Sequence, residues 1–401
     1  EYRGYLSGMK FTGTIHAMRE GEIDVPNQPI IIVEGPLIEA QILETPMLCI
    51  MNHQMAVATK ASRVCRATNR PVSEFGSRRA HGPWAAVYGA KAAIIAGCST
   101  TSNILTGTLY DYGCTGTMAH SYIESFDTEE EAFITYAKIN PHNCTLLVDT
   151  YDTLRSGIPN AIKAFKEVLW PLGIKKCAIR IDSGDISYLT KKTRKMLNEA
   201  GLTDCKIFVS NSLDEYIIRD ILNQGAEADV FGVGERLITS KSEPVFGGVY
   251  KLVAVEENGE MVPRIKISEN IEKITNPGCK ETWRLYDKDT NMAIADVITL
   301  KNEIIDESKP YEIFDQIHIW KNKKVENFYA KKLQVPIYVN GNLVYKIPSL
   351  EQIRAYSVDQ VNTLWEEVKR FSNPHKYYVD LSKDLWFLKK SMLERVKEEN
   401  N

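Results

Sequence analysis

The stretch "RIDSGD", Arg180 to Asp185, places one arginine and two aspartates on a short turn that follows an apolar run. A guanidinium offers a planar donor fork to a carboxylate or phosphate, and Asp182 and Asp185 are suited to ribose hydroxyls or hydrated Mg²⁺. The structural alternative pairs Arg180 with Asp182 or Asp152. Asp185 would then only cap the following helix. We favour the cap for Asp185 and a functional role for Arg180 and Asp182.

Other polar residues and glycines follow neighbouring apolar runs, each at the point where the run ends. The carboxyl ends of parallel strands meet at one edge of a barrel or sheet, so we expect these residues to form one substrate-binding cluster with Arg180. They are Asp149 and Asp152 after the first run, Ser210 and Asn211 after the third, and Gly232 and Gly234 after the fourth. The two glycines suit a phosphate site, although a plain tight turn accounts for them equally well.

Two further stretches hold uncommon combinations of residues. "EFGSRRAHGP" sets Phe75, Arg78 and Arg79 among turn residues, which favours an anion site, although exposed arginines are usually solvated. "GTMAHS" holds His120 after a run of small residues. A single histidine is more often structural than chemical, so spacing alone favours a structural role for it.

A repeated strand–helix pattern in the middle of the chain must position these side chains. Its short apolar runs are typical of strands buried on both faces of a parallel sheet. We predict four strands. The first covers 145–148, the second ends near Ile181, and the third and fourth lie in "KIFVS" and in "ADVFGVG". A helix from about Pro159 follows the first strand, and Gly201 ends the helix that follows the second.

The flanking segments differ from this repeat. Residues 8–35 are typical of strands and 36–68 of helix, whereas the alternating, charged runs beyond about residue 263 indicate antiparallel strands in a second, partly β module. The C-terminal stretches "LWEEVKRF" and "LWFLKKSMLERVKEEN" are predicted to be amphipathic helices.

Composition excludes several classes of partner. Lys and Arg (49) nearly balance Asp and Glu (52), so no strong field favours nucleic acid or an anionic membrane, and a small-molecule substrate is expected. The sequence has neither a long apolar run nor a signal-peptide pattern at its start, so we expect no membrane span and a cytoplasmic location. The eight scattered cysteines indicate reduced, buried thiols and not a metal site or disulfides.

Several long motifs occur in the order found in nicotinate phosphoribosyltransferases: "EFGSRRAHGP", "TTSNILTG", "GTMAHSYIESF", "LLVDTYDTLRSG", "IRIDSGDISYL" and "DVFGVGERL". The chain resembles this family from "VEGPLIEAQILET" to "NPGCKETWRLYD". The resemblance implies the α/β fold of the type II phosphoribosyltransferases, an irregular β/α barrel with a discontinuous α+β domain. It implies a barrel at 73–262 carrying the active site, a second domain at 1–72 and 263–401, and a homodimer with the active site at its interface.

The resemblance also implies an activity. Family members join nicotinate to the phosphoribosyl group of phosphoribosyl pyrophosphate in NAD salvage, releasing pyrophosphate and forming nicotinate mononucleotide with coupled ATP hydrolysis. His120 matches the histidine that ATP phosphorylates. Asp152 matches a carboxylate beside that histidine, suited to fixing its tautomer and, with Asp182, to binding Mg²⁺ directly or through water.

Other site residues follow from the same motifs. Arg180 matches the arginine that approaches the base and phosphates, and Phe75 the aromatic ring on which the pyridine stacks. Arg78 matches the arginine after "F-G-x". Gly232 and Gly234 match the site of the nucleotide 5′-phosphate.

Substrate choice is implied by charge at one position. Relatives that use nicotinamide present an aspartate near the position of Ser102, which would repel a carboxylate, so Ser102 favours nicotinate. Family members also carry a further N-terminal segment whose tyrosine-bearing helix completes the partner's base pocket. This chain opens directly on "EYRGYLSGMKFTG", so we expect either that the sequence is incomplete at this end or that the protein lacks that segment.

Two alternative functions stay open. An enzyme of the same fold could use quinolinate or nicotinamide, although quinolinate calls for a more basic pocket and its enzymes do not couple to ATP through a histidine. A silent phosphoribosyl-binding scaffold is the other alternative. The retention of His120, Asp152, Arg180 and Asp182 argues against it.

Overall fold

The computed structural model describes residues 4, 7–269, 274–318 and 320–399. The chain folds into two compact units: unit 1 comprises 1–50, 247–348 and 355–401, and unit 2 comprises 51–246 and 349–354. All residues of unit 2 are described. Along the sequence, the chain passes from one unit to the other at 50/51 and at 246/247. The domains implied by the resemblance have their boundaries at 72/73 and 262/263.

The strands of the described residues, numbered in chain order, are β1 Thr14–Met18, β2 Ile31–Glu34, β3 Val72–Glu74, β4 Thr100–Thr101, β5 Thr145–Leu147, β6 Ala178–Ile181, β7 Lys206–Val209, β8 Val230–Val233, β9 Ala254–Glu257, β10 Glu260–Pro263, β11 Lys280–Asp287, β12 Ala293–Leu300, β13 Tyr311–Asp315, β14 Asn322–Val325, β15 Phe328–Lys332, β16 Gln334–Val339, β17 Asn342–Leu343 and β18 Val379–Leu381. The helices are α1 Leu37–Ile42, α2 Glu44–Arg66, α3 Pro83–Ile95, α4 Ile104–Tyr110, α5 His120–Glu124, α6 Glu129–Ile139, α7 Ile158–Ala164, α8 Ile186–Glu199, α9 Glu215–Asn223, α10 Glu235–Ile238, α11 Leu350–Asn362 and α12 Lys383–Glu399.

Unit 2 is built on one parallel sheet with the strand order β4-β3-β8-β7-β6-β5. Its strands alternate with helices along the chain, which confirms the predicted α/β class and all four predicted strands. Because β4 and β5 are the outer strands in this order, the sheet is left open between them, as expected of an irregular barrel. The carboxyl ends of all six strands lie at one edge.

The core of unit 2 explains where its first residues belong. Apolar residues of the central strands are fully buried, and Val57, Ala61 and Val64 of α2 lie in the same core. The second half of α2 therefore packs with the parallel sheet, so this compact unit includes residues that precede the boundary at 72/73 implied by the resemblance.

Helix α8 begins and ends at the predicted residues. The side chain of Asp185 accepts a hydrogen bond from the backbone N–H of Tyr188 at 2.9 Å, which is the predicted cap. After the helix ends at Glu199, Gly201 adopts a positive φ of 80°, a conformation that favours glycine.

Unit 1 contains antiparallel and mixed sheets. One sheet has the order β17-β16-β1-β2 and another the order β14-β13-β18-β12-β11-β15, in which only β12 and β18 pair in parallel among the described strands. The antiparallel prediction is thus confirmed for most of this region. The exception is β18, which follows α11 and pairs with β12 in parallel. Parallel pairing requires a long connection, and the segment that contains α11 is part of it.

A buried ion network lies in the core of unit 1. Arg284 has no exposed surface and bonds both oxygens of Asp296, at 2.8 and 2.9 Å, and Glu22 Oε1 at 2.9 Å. The hydroxyl of Tyr377 donates to Asp296 Oδ1 at 3.0 Å. Because a buried charge is tolerated only when it is paired, each of these groups requires the others.

One of the two predicted C-terminal helices is wrong. Residues 364–371, "LWEEVKRF", form turns, and Leu364 is buried beside Tyr286 and Tyr377. The helical pattern is lost because α11 ends just before, at Asn362, and Pro374 follows shortly after. The second helix is confirmed as α12. Among the described residues, no helix has both the length and the apolar character needed to cross a membrane.

Helix α7 begins at Ile158, which confirms the predicted start near Pro159. A π-helical turn at Thr153–Gly157 leads directly into α7. Gly157 is buried, and a Cβ atom there would lie only 1.8 Å from the carbonyl oxygen of Val148. This turn closes against the strand that ends just before Asp149, so Gly157 is needed to place that end of the strand.

We predict that Gly157→Ala destabilises the protein by about 3 kcal/mol, because the backbone of Val148, directly after β5, must move to admit a methyl group. Urea denaturation followed by circular dichroism measures the change. Gly113→Ala is the matched control, since a Cβ atom at Gly113 meets nothing within 4 Å. Equal stability of the two variants would contradict the packing described here.

Candidate active site

Arg180, in β6, joins three side chains at the carboxyl edge of the parallel sheet. Its Nε donates to Ser210 Oγ at 2.8 Å, its Nη1 to Thr117 Oγ1 at 2.8 Å, and its Nη2 to Asp182 Oδ1 at 2.9 Å. Ser210 also donates to Asp182 Oδ1. The pairing of Arg180 with Asp182 is therefore present, while the remaining N–H groups of the fork stay available for an anionic ligand.

An aromatic pair lies against this arginine. The guanidinium carbon of Arg180 is 5.6 Å from the ring centroid of Phe75, and Phe75 stacks on Phe208 with centroids 5.4 Å apart and planes 12° apart. A Cβ atom at Gly232 would lie 2.8 Å from the Phe208 ring and 2.9 Å from the Phe75 ring. Glycine at position 232 thus permits the ring pair, whatever it contributes to phosphate binding.

His120, the first residue of α5, faces two carboxylates. Its Nε2 lies 4.0 Å from Asp149 Oδ1 and 3.9 Å from Asp182 Oδ2, and its Nδ1 lies 3.0 Å from Thr150 Oγ1. The side chain is 41% exposed, so one part of the ring is accessible to a substrate. Thr150 is thus the hydrogen-bonding partner of Nδ1, whereas Nε2 faces the two carboxylates from beyond hydrogen-bond distance, so this histidine is not a core residue.

Asp149 is the most confined carboxylate of the cluster, with a side chain only 1% exposed. Its Oδ2 accepts from the Asp182 backbone N–H at 2.8 Å and from Ser183 Oγ at 2.6 Å. Its Oδ1 is buried without a hydrogen-bond donor. Because a buried carboxylate oxygen without a partner is costly, Oδ1 is suited to a ligand that arrives with positive charge or a proton.

Asp152 does not take the position beside His120 that the resemblance implied. Its Oδ1 accepts from the backbone N–H groups of Leu154 and Arg155, at 3.1 and 2.9 Å, and so caps the π-helical turn. Its side chain is 49% exposed. The chain turns away after Thr150, so Asp149 and Asp182 are the carboxylates that face the imidazole.

The remaining predicted residues lie around this cluster. Ser102 is half-buried, and its backbone N–H donates to the carbonyl of Glu74 at 2.9 Å. Arg78 and Asn211 are exposed, and Arg79 lies 3.6 Å from Glu235. Within unit 2, whose residues are all described, no hydrogen bond or ion pair joins these exposed side chains to Arg180.

Gly234 lies at a point of close backbone approach. A Cβ atom there would be 2.9 Å from the carbonyl oxygen of Phe75. It directly precedes α10, a helix of only four residues. Its small size is therefore required by chain packing.

Sequence reasoning missed Glu74, Thr101, Thr117 and Thr150. The carboxylate of Glu74 is fully buried and accepts from Thr101 Oγ1 at 2.6 Å, and burial raises the pKa of this carboxyl. An acidic residue inside the apolar strand directly before Phe75 was the available signal. Thr117 and Thr150 lie inside motifs that point to other residues.

The described residues contain no group of three or more His, Cys, Asp or Glu side chains arranged to hold a metal ion by themselves. A cation at this site would need further ligands from a substrate or water. That is the usual situation of Mg²⁺, which binds one or two carboxylates and substrate phosphates.

Comparisons with known proteins identify the family. Residues 1–52 match the nicotinate phosphoribosyltransferase (NAPRTase) N-terminal domain, and residues 279–389 match the nicotinate phosphoribosyltransferase C-terminal domain. The chain is similar to the nicotinate phosphoribosyltransferase of Bacillus subtilis, with 46% identity over 95% of this chain and 78% of that protein. The corresponding enzyme of Dictyostelium discoideum is 34% identical over 96% of this chain and 74% of its own length.

Solved structures agree with these sequence relationships. Human nicotinic acid phosphoribosyltransferase superposes with a TM-score of 0.85 and 26% identity, over 97% of this chain and 84% of that one. The nicotinate-nucleotide pyrophosphorylase of Pyrococcus furiosus superposes with a TM-score of 0.69 and 25% identity, over 88% of this chain and 82% of that one. The predicted type II phosphoribosyltransferase fold is thereby confirmed. With 46% identity to a curated member along nearly its whole length, the chain belongs to the nicotinate phosphoribosyltransferase family.

Proposed function

We propose that this chain transfers the phosphoribosyl group of phosphoribosyl pyrophosphate to nicotinate, coupled to ATP hydrolysis through His120. The observation that carries the proposal is the convergence of His120 Nε2 on Asp149 Oδ1 and Asp182 Oδ2 at 3.9 to 4.0 Å, beside an arginine fork with free donors. The products are nicotinate mononucleotide and pyrophosphate, which places the enzyme in NAD salvage.

Transfer breaks the bond between ribose C1′ and the pyrophosphate oxygen and forms a bond from C1′ to the pyridine nitrogen. Positive charge develops on the ribose and negative charge on the leaving group. The Asp182 carboxylate is suited to stabilising the positive charge on the ribose, and the Arg180 guanidinium to stabilising the negative charge on the leaving group. These groups are held by Ser210 and Thr117, so they need little reorganisation during the reaction.

Nicotinate is the favoured base because its carboxylate meets no acidic group at Ser102. Phe75 offers an aromatic surface beside the arginine, and the backbone N–H of Ser102 donates to the carbonyl of Glu74, the residue directly before Phe75. An aspartate at position 102 would repel a carboxylate. Charge thus selects nicotinate over nicotinamide.

The coupling proposal rests on the two nitrogens of His120. When Nδ1–H donates to Thr150 Oγ1, the lone pair of Nε2 is free to attack the γ-phosphorus of ATP. The bond from Nε2 to phosphorus forms as the bond to the ADP oxygen breaks, and water later hydrolyses the phosphohistidine. The phosphoryl group adds negative charge beside two carboxylates, which favours a bound cation.

The donor set fits Mg²⁺ better at Asp149 and Asp182 than at Asp152. The unpartnered Oδ1 of Asp149 and Oδ2 of Asp182 face the same imidazole nitrogen, whereas Asp152 already caps a turn. These two aspartates would hold the ion directly or through water, with phosphate oxygens completing the shell. Bound there, Mg²⁺ would neutralise negative charge on phosphoryl oxygens.

A homodimer is supported by an apolar face of unit 2. Helices α3 and α4 are joined by a hydrogen bond from Thr106 Oγ1 to the Val87 carbonyl at 3.1 Å, and they expose Trp84, Ile104 and Leu109 by 60, 74 and 52%. Large apolar side chains grouped in this way mark an interaction site. We propose that a second copy of the chain covers this face. We also propose that the protein acts in the cytoplasm.

We expect a particle of twice the chain mass of 45.4 kDa in sedimentation velocity. The double variant Ile104→Asp, Leu109→Asp should be monomeric, because burying the new charges opposes association. Ile139→Asp is the matched control, since Ile139 of α6 is similarly exposed (69%) but lies on another helix. A monomeric native chain, or equal loss of dimer in the control, would contradict this interface.

The activity is tested with purified chain, nicotinate, phosphoribosyl pyrophosphate and Mg²⁺, with and without ATP, by following nicotinate mononucleotide. ATP should stimulate product formation, and His120→Ala should abolish that stimulation, because Ala supplies no nucleophilic nitrogen. We expect the variant to lose about 100-fold in the ATP-stimulated rate.

Nicotinamide and quinolinate are run in parallel as alternative bases. The proposal expects product from nicotinate alone. Turnover of quinolinate without ATP would favour the alternative enzyme of the same fold, and tight binding of phosphoribosyl pyrophosphate without turnover of any base would favour the silent scaffold.

The metal proposal distinguishes two aspartates that lie near each other in sequence. Asp149→Asn should raise the Mg²⁺ concentration needed for half-maximal rate by about tenfold, because the charged oxygen facing His120 is lost. Asp152→Asn should change it less than about twofold, because an amide oxygen can still accept the two capping bonds. The reverse order in a Mg²⁺ titration would restore Asp152 as the metal ligand.

A further inference from the structure

The structure assigns a positioning role to Glu74, a residue that touches no substrate in the proposed mechanism. We propose that its carboxylate locks together two turns, residues 75–79 and residues 101–103, and thereby sets the affinity for the pyridine base. The inference rests on the proposed function, since the base is placed between side chains of these turns.

Three hydrogen bonds connect Glu74 to both turns. Its Oε1 accepts from the backbone N–H of Gly76 in the first turn, and its Oε2 accepts from Thr101 Oγ1 in the second at 2.6 Å. Its own carbonyl oxygen accepts from the Ser102 N–H at 2.9 Å. One residue thus fixes the chain directly after Phe75 and the chain at Thr101 and Ser102.

A second connection lies next to the first. Asn103 donates through Nδ2 to Ser77 Oγ at 3.0 Å, and its backbone N–H donates to Thr101 Oγ1, also at 3.0 Å. Thr101 therefore accepts from one side and donates to Glu74 on the other. Bonds arranged in such a chain strengthen each other, so the two turns behave as one unit.

The charge environment of Glu74 is unusual for a buried carboxylate. Glu215, equally buried in the same unit, is paired with Lys60 at 2.7 Å and Arg63 at 2.8 Å. Within unit 2, where every residue is described, Glu74 forms no such ion pair. An acidic group buried without a cation is a poor choice for stability alone, which favours a role that depends on where its two oxygens point.

The expected effect is larger for one substrate than for the other. Phe75 and Ser102 lie in the turns that Glu74 joins, whereas His120, Asp149 and Asp182 are held by other bonds, to Thr150, Ser183 and Ser210. Loosening the turns should weaken binding of nicotinate more than binding of phosphoribosyl pyrophosphate, which is affected only through the contact of Phe75 with Arg180 and through Arg78 and Arg79. A general loss of stability would not separate the two substrates in this way.

The test uses the full chain and measures kcat and the KM of each substrate. Glu74→Gln and Thr101→Val should each raise the KM of nicotinate about tenfold, since each removes a hydrogen bond to a charged group. The KM of phosphoribosyl pyrophosphate should stay within about twofold. Thr101→Ser should have the KM for nicotinate of the native chain, because serine keeps the hydroxyl that donates to Glu74.

Thr190→Val is the matched control, because Thr190 is also fully buried and its hydroxyl donates to the Ile186 carbonyl, within α8. It should lose stability without a change in either KM. The Thr101 variants keep the test decisive if Glu74→Gln does not fold.

Each outcome bears on a different statement. Native chain that makes no nicotinate mononucleotide overturns the proposed function and this inference with it. Active native chain whose Thr101→Val variant has unchanged KM values, or raises both KM values equally, overturns the inference alone. A rise in the KM of nicotinate that Thr101→Ser reverses supports it.

Discussion

The active-site cluster depends on how the charge of Arg180 is held. A guanidinium that is only 16% exposed must be compensated, and here Asp182 supplies the opposite charge at 2.9 Å while two hydroxyl groups accept from the other nitrogens. The same Asp182 is fixed by Ser210 and, through its backbone, by Asp149. The arginine therefore keeps a defined orientation with donors left over. An anionic substrate can bind there without first breaking the pair.

In this arrangement the two carboxylate oxygens of Asp182 have different partners, and so do those of Asp149. Asp182 uses Oδ1 toward Arg180, and Asp149 uses Oδ2 toward the turn after β6, so the other oxygen of each is directed at His120. Two carboxylate oxygens that face the same point favour the binding of a cation there. In the proposed mechanism that cation is a metal ion when a phosphate is present, which links the binding of ATP and pyrophosphate to this single point.

The sequence was sufficient for four strands of the parallel sheet, because each of these is a short apolar run followed by a polar turn, and for the cap at Asp185, because capping is local. It did not predict β3 and β4, whose sequences VSE and TT are not apolar runs. It was insufficient where the outcome depends on distant contacts. Asp149 and Asp152 both follow β5 and look equivalent as letters, yet the π-helical turn that Gly157 permits directs only Asp149 to His120. Glu74 and Thr101 meet across two strands. The stretch "LWEEVKRF" has helical periodicity but forms turns between the end of α11 at Asn362 and Pro374, with Leu364 buried.

Detection of phosphate on His120 after incubation with ATP tests the central claim most directly. The chain is incubated with ATP labelled at the γ-phosphate and Mg²⁺, and peptides are analysed by mass spectrometry under conditions that preserve acid-labile phosphate. The account predicts label on His120 that nicotinate and phosphoribosyl pyrophosphate discharge, and no label in His120→Ala. Label on another residue, or ATP-stimulated product formation by a chain that carries no phosphate on His120, would contradict it.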